Sequence, residues 1–139
     1  MPQIKAINHV AVVVEDMEKS LAFWRDALGI KLHELRDVPA EKSQVAFLPL
    51  AGAEVELVMP TTDDSGIAKY LAKRGAGMHH LCVAVADIDS ALAHIAAQGV
   101  QLINETPRTR EDGTRYAFVH PKSTGGVMVE LYELPKAKV

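Results

Sequence analysis

Two histidines and two glutamates stand at matching places in a sequence that repeats itself. The first unit begins at Asn8-His9-Val10-Ala11-Val12-Val13-Val14 and reaches Val55-Glu56-Leu57. The second begins at His79-His80-Leu81-Cys82-Val83-Ala84-Val85 and reaches Val129-Glu130-Leu131. With His9 aligned on His80, Asp16 falls on Asp87, Leu21 on Leu92 and Ala22 on Ala93, and each glutamate lies nearly the same distance beyond its own histidine. Most other positions differ between the halves, so the shared His and Glu stand out against an internal control. Two imidazoles and two carboxylates, brought together by a pseudo-twofold axis, suit a divalent first-row ion such as Co²⁺, Mn²⁺, Ni²⁺ or Zn²⁺. His9, Glu56, His80 and Glu130 are therefore the expected metal ligands. Four protein ligands on an octahedral ion leave two adjacent positions for a chelating substrate. Such an ion polarises a carbonyl oxygen, which acidifies the neighbouring C–H bond.

The simpler readings are weighed against this one. A single strand histidine reads first as a hydrogen-bonded core residue; two at equivalent places, each with its own glutamate, read as ligands. Each glutamate sits among apolar residues, and burying an unpaired carboxylate is costly. A positive ion is the better account of both.

The elements that must position these residues follow from periodicity. Residues 6–14 read as a strand, followed by a helix with Met17, Leu21, Phe23, Trp24 and Leu28 on one broad face, closed by Gly29. Strand-like runs follow at Ile30–Leu35, Gln44–Leu48 and Val55–Met59, and a short helix at Ile67–Arg74 with Ser65 as its cap. The second half repeats the order: a strand at His80–Val85, a helix at Ile88–Gln98, and strands at Val100–Asn104, Arg115–Val119 and Val127–Tyr132. Arg108–Gly113 reads as a mobile loop and Pro135–Val139 as a frayed tail. The fold expected is α+β: two tandem βαβββ modules, about 4–60 and 76–134, joined by a linker and helix at 61–75, with a curled mixed sheet around a metal-binding cleft. Strand alternation puts all four candidate ligands on the faces turned away from the helices.

Composition narrows the class. A chain of 139 residues, 48% hydrophobic and 24% charged, is long enough for one domain with a real core. The formal net charge of −3 offers no basic field for nucleic acid. No apolar run approaches a membrane span, and Met1-Pro2-Gln3-Ile4-Lys5 lacks a signal-peptide pattern. Cys82 is the one cysteine, so no internal disulfide forms. A cytoplasmic protein is the expectation.

These residues resemble the vicinal oxygen chelate superfamily, which includes glyoxalase I and ring-cleaving dioxygenases. Within it the chain is most similar to the methylmalonyl-CoA epimerase family. The resemblance is carried by Asn8–Val12, Asp64–Leu71, Gly77–His80 and above all Phe118-Val119-His120-Pro121-Lys122-Ser123-Thr124-Gly125-Gly126-Val127-Met128-Val129-Glu130-Leu131, and it covers nearly the whole chain. Carried over by position, the metal ligands again fall on His9, Glu56, His80 and Glu130. The resemblance implies a homodimer, an acyl-CoA substrate, epimerisation at C2 and cobalt as the favoured ion; the chemistry of the four residues then takes Glu130 as ligand and base, with Glu56 opposite it by symmetry. Some members carry a third-strand glutamate proposed as a base; here Ser43-Gln44-Val45-Ala46-Phe47 holds no carboxylate, which leaves the second proton-transfer group unassigned.

Lys122 is the candidate for a substrate carboxylate or phosphate, and Ser65 and Lys69 for the CoA phosphates, against plain solvated turns and helix faces. His79 takes the strand face opposite His80. His33 and His94 read as surface residues, and Cys82 as a small hydrophobe. The alternatives are a lactoylglutathione lyase of the glyoxalase I type, disfavoured by the Phe118–Glu130 segment, and a metal-free binding module of the bleomycin-resistance type, which has no need of four ligands. An iron dioxygenase uses three ligands, and here a fourth is present.

Overall fold

Alternating apolar residues make the strands and a 3.6-residue period makes the helices, and in each half both bury one side against the other. The computed structural model describes residues 1–136; the tail reading for 137–139 lies outside the described residues. The chain forms two compact units, His9–His79 and Met1–Asn8 with the chain from His80 onward.

The unit His9–His79 holds most of β1 (Ile4–Val13), then α1 (Met17–Leu21), β2 (Glu34–Val38), β3 (Ser43–Leu50), β4 (Ala53–Pro60) and α2 (Gly66–Arg74). Its strands are ordered β2-β3-β4-β1, with β4 parallel to β1 and the other pairs antiparallel. Asp16 caps α1 by accepting the Lys19 amide at 3.1 Å. Val14, Met17, Leu21, Leu48, Val55 and Leu57 form the core, with Val12 and Trp24 packed against it.

Two expectations for this half are corrected. Phe23 and Leu28 are each 53% exposed, while Met17 and Leu21 are buried. Phe23 lies two residues beyond Leu21, more than half a turn around an α-helix, and the helix then widens into a π-turn over Ala22–Ala27. The second strand starts at Glu34 rather than Ile30. Its pairing is set by the tight turn Pro39–Lys42, from which Val38 meets Ser43 and Glu34 meets Phe47. Ile30 and Leu32 pack on the core instead.

The second unit carries most of β5 (Gly77–Val85), then α3 (Ile88–Ala97), β6 (Arg108–Thr109), β7 (Arg115–Val119) and β8 (Val129–Glu133). The order is β5-β8-β7-β6, with β8 parallel to β5 and the rest antiparallel. Asp87 caps α3 by accepting the Ser90 amide at 3.1 Å, repeating the Asp16 cap. Val85, Ile88, Ala91, Leu92, Ala117 and Leu131 form this unit's core.

The strand expected at Val100–Asn104 does not form; only an isolated bridge joins Leu102 to Val119. The Ile103 and Asn104 amides both donate to the Phe118 carbonyl, at 2.9 and 3.3 Å. The Asn104 side chain accepts the Phe118 amide at 2.8 Å, taking the place of a backbone partner and ending the ladder. The edge strand comes later, at Arg108–Thr109, within the segment expected to be a mobile loop. That segment is a hydrogen-bonded hairpin: the Arg110 amide donates to the Thr114 carbonyl at 2.8 Å, and the Gly113 amide to the Arg110 carbonyl at 3.0 Å. Gly113 has φ +91°, and a Cβ there would lie 3.3 Å from the Pro135 side chain, so the turn requires glycine. The class is α+β with mixed pairing, as the repeat implies.

Candidate functional site

Each unit builds the same small arrangement. In the first, β1 and β4 run parallel with Ala11 opposite Glu56, so His9 lies one same-face step before that pair. His9 Nδ1 is 3.0 Å from Glu56 Oε2. His9 is 1% exposed, and the Glu56 side chain 17%. Val55 and Leu57 enter the core with α1, so Glu56 faces away from it. On β3, Phe47 is the register partner of Glu56 and Val45 that of Val58, and both share its face. Neither is ionisable, so the third strand offers this face no carboxylate.

In the second unit, β5 and β8 run parallel with Cys82 opposite Glu130, and His80 again lies one same-face step earlier. His80 Nε2 is 3.1 Å from Glu130 Oε1. Glu130 is 1% exposed, the most buried carboxylate among the described residues. Its neighbours on that face are aromatic. Phe118 is its register partner, Tyr116 pairs with Tyr132, and the Phe118 ring meets the His80 ring edge-on at 5.4 Å. Cys82 is wholly buried beside Glu130.

The structure thus brings His9 to Glu56 and His80 to Glu130. The other expected site residues belong to neither pair. Ser65 caps α2, its hydroxyl accepting the Ala68 amide at 3.0 Å. Lys69 is exposed on α2. Lys122 is exposed too, and its amide donates to His120 Nδ1 at 3.0 Å. His79 packs its ring against Tyr70, with centroids 4.6 Å apart.

One residue was not singled out by sequence reasoning. Arg110 places its guanidinium 4.3 Å from the Tyr116 ring centre and 3.8 Å from Glu130 Oε2. It lies in the Arg108–Gly113 segment, read from the sequence as a mobile loop over the pocket with no residue of it assigned a role. The available signal was the Tyr116 and Phe118 alternation beyond it. The turn itself is well tied: Asp112 accepts the Thr114 amide, which holds its carboxyl below the usual carboxylate range.

The donor set fits a divalent ion. Each unit offers an imidazole nitrogen and a carboxylate oxygen, already held within about 3 Å of one another on the face turned away from that unit's core helix. Two modules with a helix on one side of the sheet and a His–Glu couple on the other define a vicinal oxygen chelate fold. The chain belongs to the Glyoxalase/Bleomycin resistance protein/Dioxygenase superfamily, whose family model matches residues 8–118. Mitochondrial methylmalonyl-CoA epimerase of Mus musculus is 37% identical over 126 residues, covering 90% of this chain and 71% of that protein. An ethylmalonyl-CoA/methylmalonyl-CoA epimerase of Cereibacter sphaeroides is 34% identical over 133 residues, 94% of this chain and 99% of that one. The structure of a Streptomyces coelicolor methylmalonyl-CoA epimerase variant with 2-nitronate-propionyl-CoA superposes with a TM-score of 0.85, at 29% identity and 99% coverage of both chains. No helix among the described residues is long and apolar enough to cross a membrane.

Proposed function

We propose that this chain is an epimerase that interconverts the 2R and 2S forms of methylmalonyl-CoA, with residues 1–139 acting as one vicinal oxygen chelate domain. The observation that carries this is the His80–Glu130 couple, with its buried carboxylate, and its counterpart His9–Glu56, in a chain similar over nine-tenths of its length to named methylmalonyl-CoA epimerases. His9, Glu56, His80 and Glu130 would hold the metal. When bound, such an ion acts as a Lewis acid on the thioester carbonyl, which lowers the barrier to losing the C2 proton.

The protein's own groups do the rest. Glu130 takes the proton from C2; the electron pair of the broken C–H bond delocalises onto the thioester oxygen. Glu56, the matching carboxylate of the other module, takes part in returning a proton on the opposite face, and C2 emerges inverted. No electrons are gained or lost overall. Lys69, Lys122 and the α2 end at Ser65 supply contacts for the CoA phosphates.

The test is deuterium incorporation at C2 of methylmalonyl-CoA in D₂O, with metal-loaded and chelator-treated protein. Metal-dependent exchange with loss of stereochemistry is the expected result. No exchange with Co²⁺, Mn²⁺, Ni²⁺ or Zn²⁺ would overturn it, and a glutathione hemithioacetal would become the next substrate to assay. Ethylmalonyl-CoA in parallel measures how large a C2 substituent is accepted.

A further inference from the structure

We infer that Arg110 recognises the free carboxylate of the substrate, and so selects 2-carboxyacyl thioesters over neutral acyl thioesters. This rests on the epimerase reading above and adds to it a specificity residue.

The root of the side chain is fixed. Arg110 lies immediately beyond β6, and its backbone closes the hairpin through both its amide and its carbonyl. From there the guanidinium lies over Tyr116 at 4.3 Å and within 5.8 Å of the Tyr132 ring centre. Tyr116 and Tyr132 are register partners, and so are Phe118 and Glu130. These four residues alternate with Ala117 and Leu131, which are buried with α3, so they share the opposite face. Arg110 therefore covers the face that presents Glu130. Stacking on an aromatic ring orients the guanidinium plane and leaves its N–H edge directed sideways, the geometry that meets a carboxylate in two places.

Exposure gives the group a direction. Glu130 is 1% exposed, whereas the Arg110 side chain is 35% exposed. One end of the contact is buried and the other is open to an arriving molecule.

Charge supplies the reason. A malonyl-type thioester carries a carboxylate on the carbon that loses its proton. With a divalent ion held by Glu56 and Glu130, the two carboxylates already balance its charge, so the arriving anion still lacks a counter-charge of its own. The Arg110 cation beside Glu130 supplies it and draws the substrate carboxylate to the same side. A neutral acyl group gains nothing from it. A site built to pair a charged or polar group discriminates strongly against analogues that lack it.

The experiment compares malonyl-CoA with propionyl-CoA as calorimetric ligands of cobalt-loaded wild type, Arg110→Met and Arg110→Lys. Methionine keeps much of the packing over Tyr116 without the charge. Metal content and circular dichroism are recorded for each variant. The expected result is a wild-type preference for malonyl-CoA of tenfold or more. Arg110→Met should weaken malonyl-CoA at least tenfold while propionyl-CoA stays within twofold, and Arg110→Lys should fall between. A preference that survives in Arg110→Met, or an equal loss for both ligands, overturns the inference and leaves the epimerase reading standing. Wild type that binds neither thioester overturns both.

Discussion

His80 Nε2 lies 3.1 Å from Glu130 Oε1, and the two sit on neighbouring parallel strands in a register that places Cys82 beside Glu130. The same offset recurs in the other module, where Ala11 stands beside Glu56 and His9 reaches it at 3.0 Å. The repeat in the sequence is thus a repeat of strand register. The ring nitrogens differ, Nδ1 in His9 and Nε2 in His80, so the two couples are related but not identical.

Glu130→Gln is the sharpest test of the proposed chemistry. The amide keeps the size of the side chain but is not a base. Positioned acid–base groups contribute about 10²–10⁴-fold, so C2 exchange should fall by roughly that factor. The thermal midpoint should move by only a few degrees. Near-normal turnover with a folded protein would remove Glu130 from the proton-transfer role. Glu56→Gln should change turnover in the same direction.

Metal removal should abolish exchange, and readdition of cobalt should restore it. The binding itself can be read without activity, by titrating the visible absorption of Co²⁺ into stripped protein. Replacing even an outer-shell partner typically costs about 10–100-fold in metal affinity, so His9→Ala and His80→Ala should each weaken Co²⁺ by at least roughly that factor. If either variant binds Co²⁺ as wild type does, that histidine is not a ligand.

How far the sequence could be read depended on the range of the interactions. The Ser65 cap was local, set by a side chain and an amide three residues on; Asp16 and Asp87 stood out only as repeated positions, and the structure makes them caps of the same reach. The His and Glu positions were long-range, but the duplication announced them. β6 was hidden because the Asn104 side chain takes the Phe118 amide, a contact no periodicity encodes. Arg110 was hidden for a similar reason. Its role depends on Tyr116 and Tyr132, which meet only through the β7–β8 register.

Asp64 gives a pH prediction with a definite sign. Lys42 Nζ is 2.8 Å from its carboxylate and the Thr62 hydroxyl donates to it at 2.7 Å. These contacts, Lys42 first, lower its pKa from 3.8 to about 2. A carboxylate whose folded pKa is depressed stabilises the fold above its unfolded value, and loses that contribution as pH falls through the folded one. The window is therefore from about pH 4 down to about 2. Both side chains are largely exposed, so the effect is small and sensitive to salt. Asp64→Asn should lower the urea midpoint slightly at pH 6, and the difference from wild type should vanish below pH 2. A difference that persists in acid would mean that shape, not charge, ties the α2 approach to the Lys42 turn.

Ser65 separates a structural role from a binding one, because two substitutions divide them. Its hydroxyl accepts the Ala68 amide at the start of α2, and it is 7% exposed. Ser65→Ala removes the cap and should cost about 1 kcal/mol, a fall of roughly 3–5 °C in the melting midpoint. Ser65→Asp caps equally well and places a negative charge at the favourable end of the helix, so stability should hold. The same charge would repel a CoA phosphate approaching α2. A rise of several-fold in KM for methylmalonyl-CoA, with kcat unchanged and the melting midpoint intact, is therefore expected of Ser65→Asp. An unchanged KM would confine Ser65 to holding the helix and leave the phosphates to the lysines.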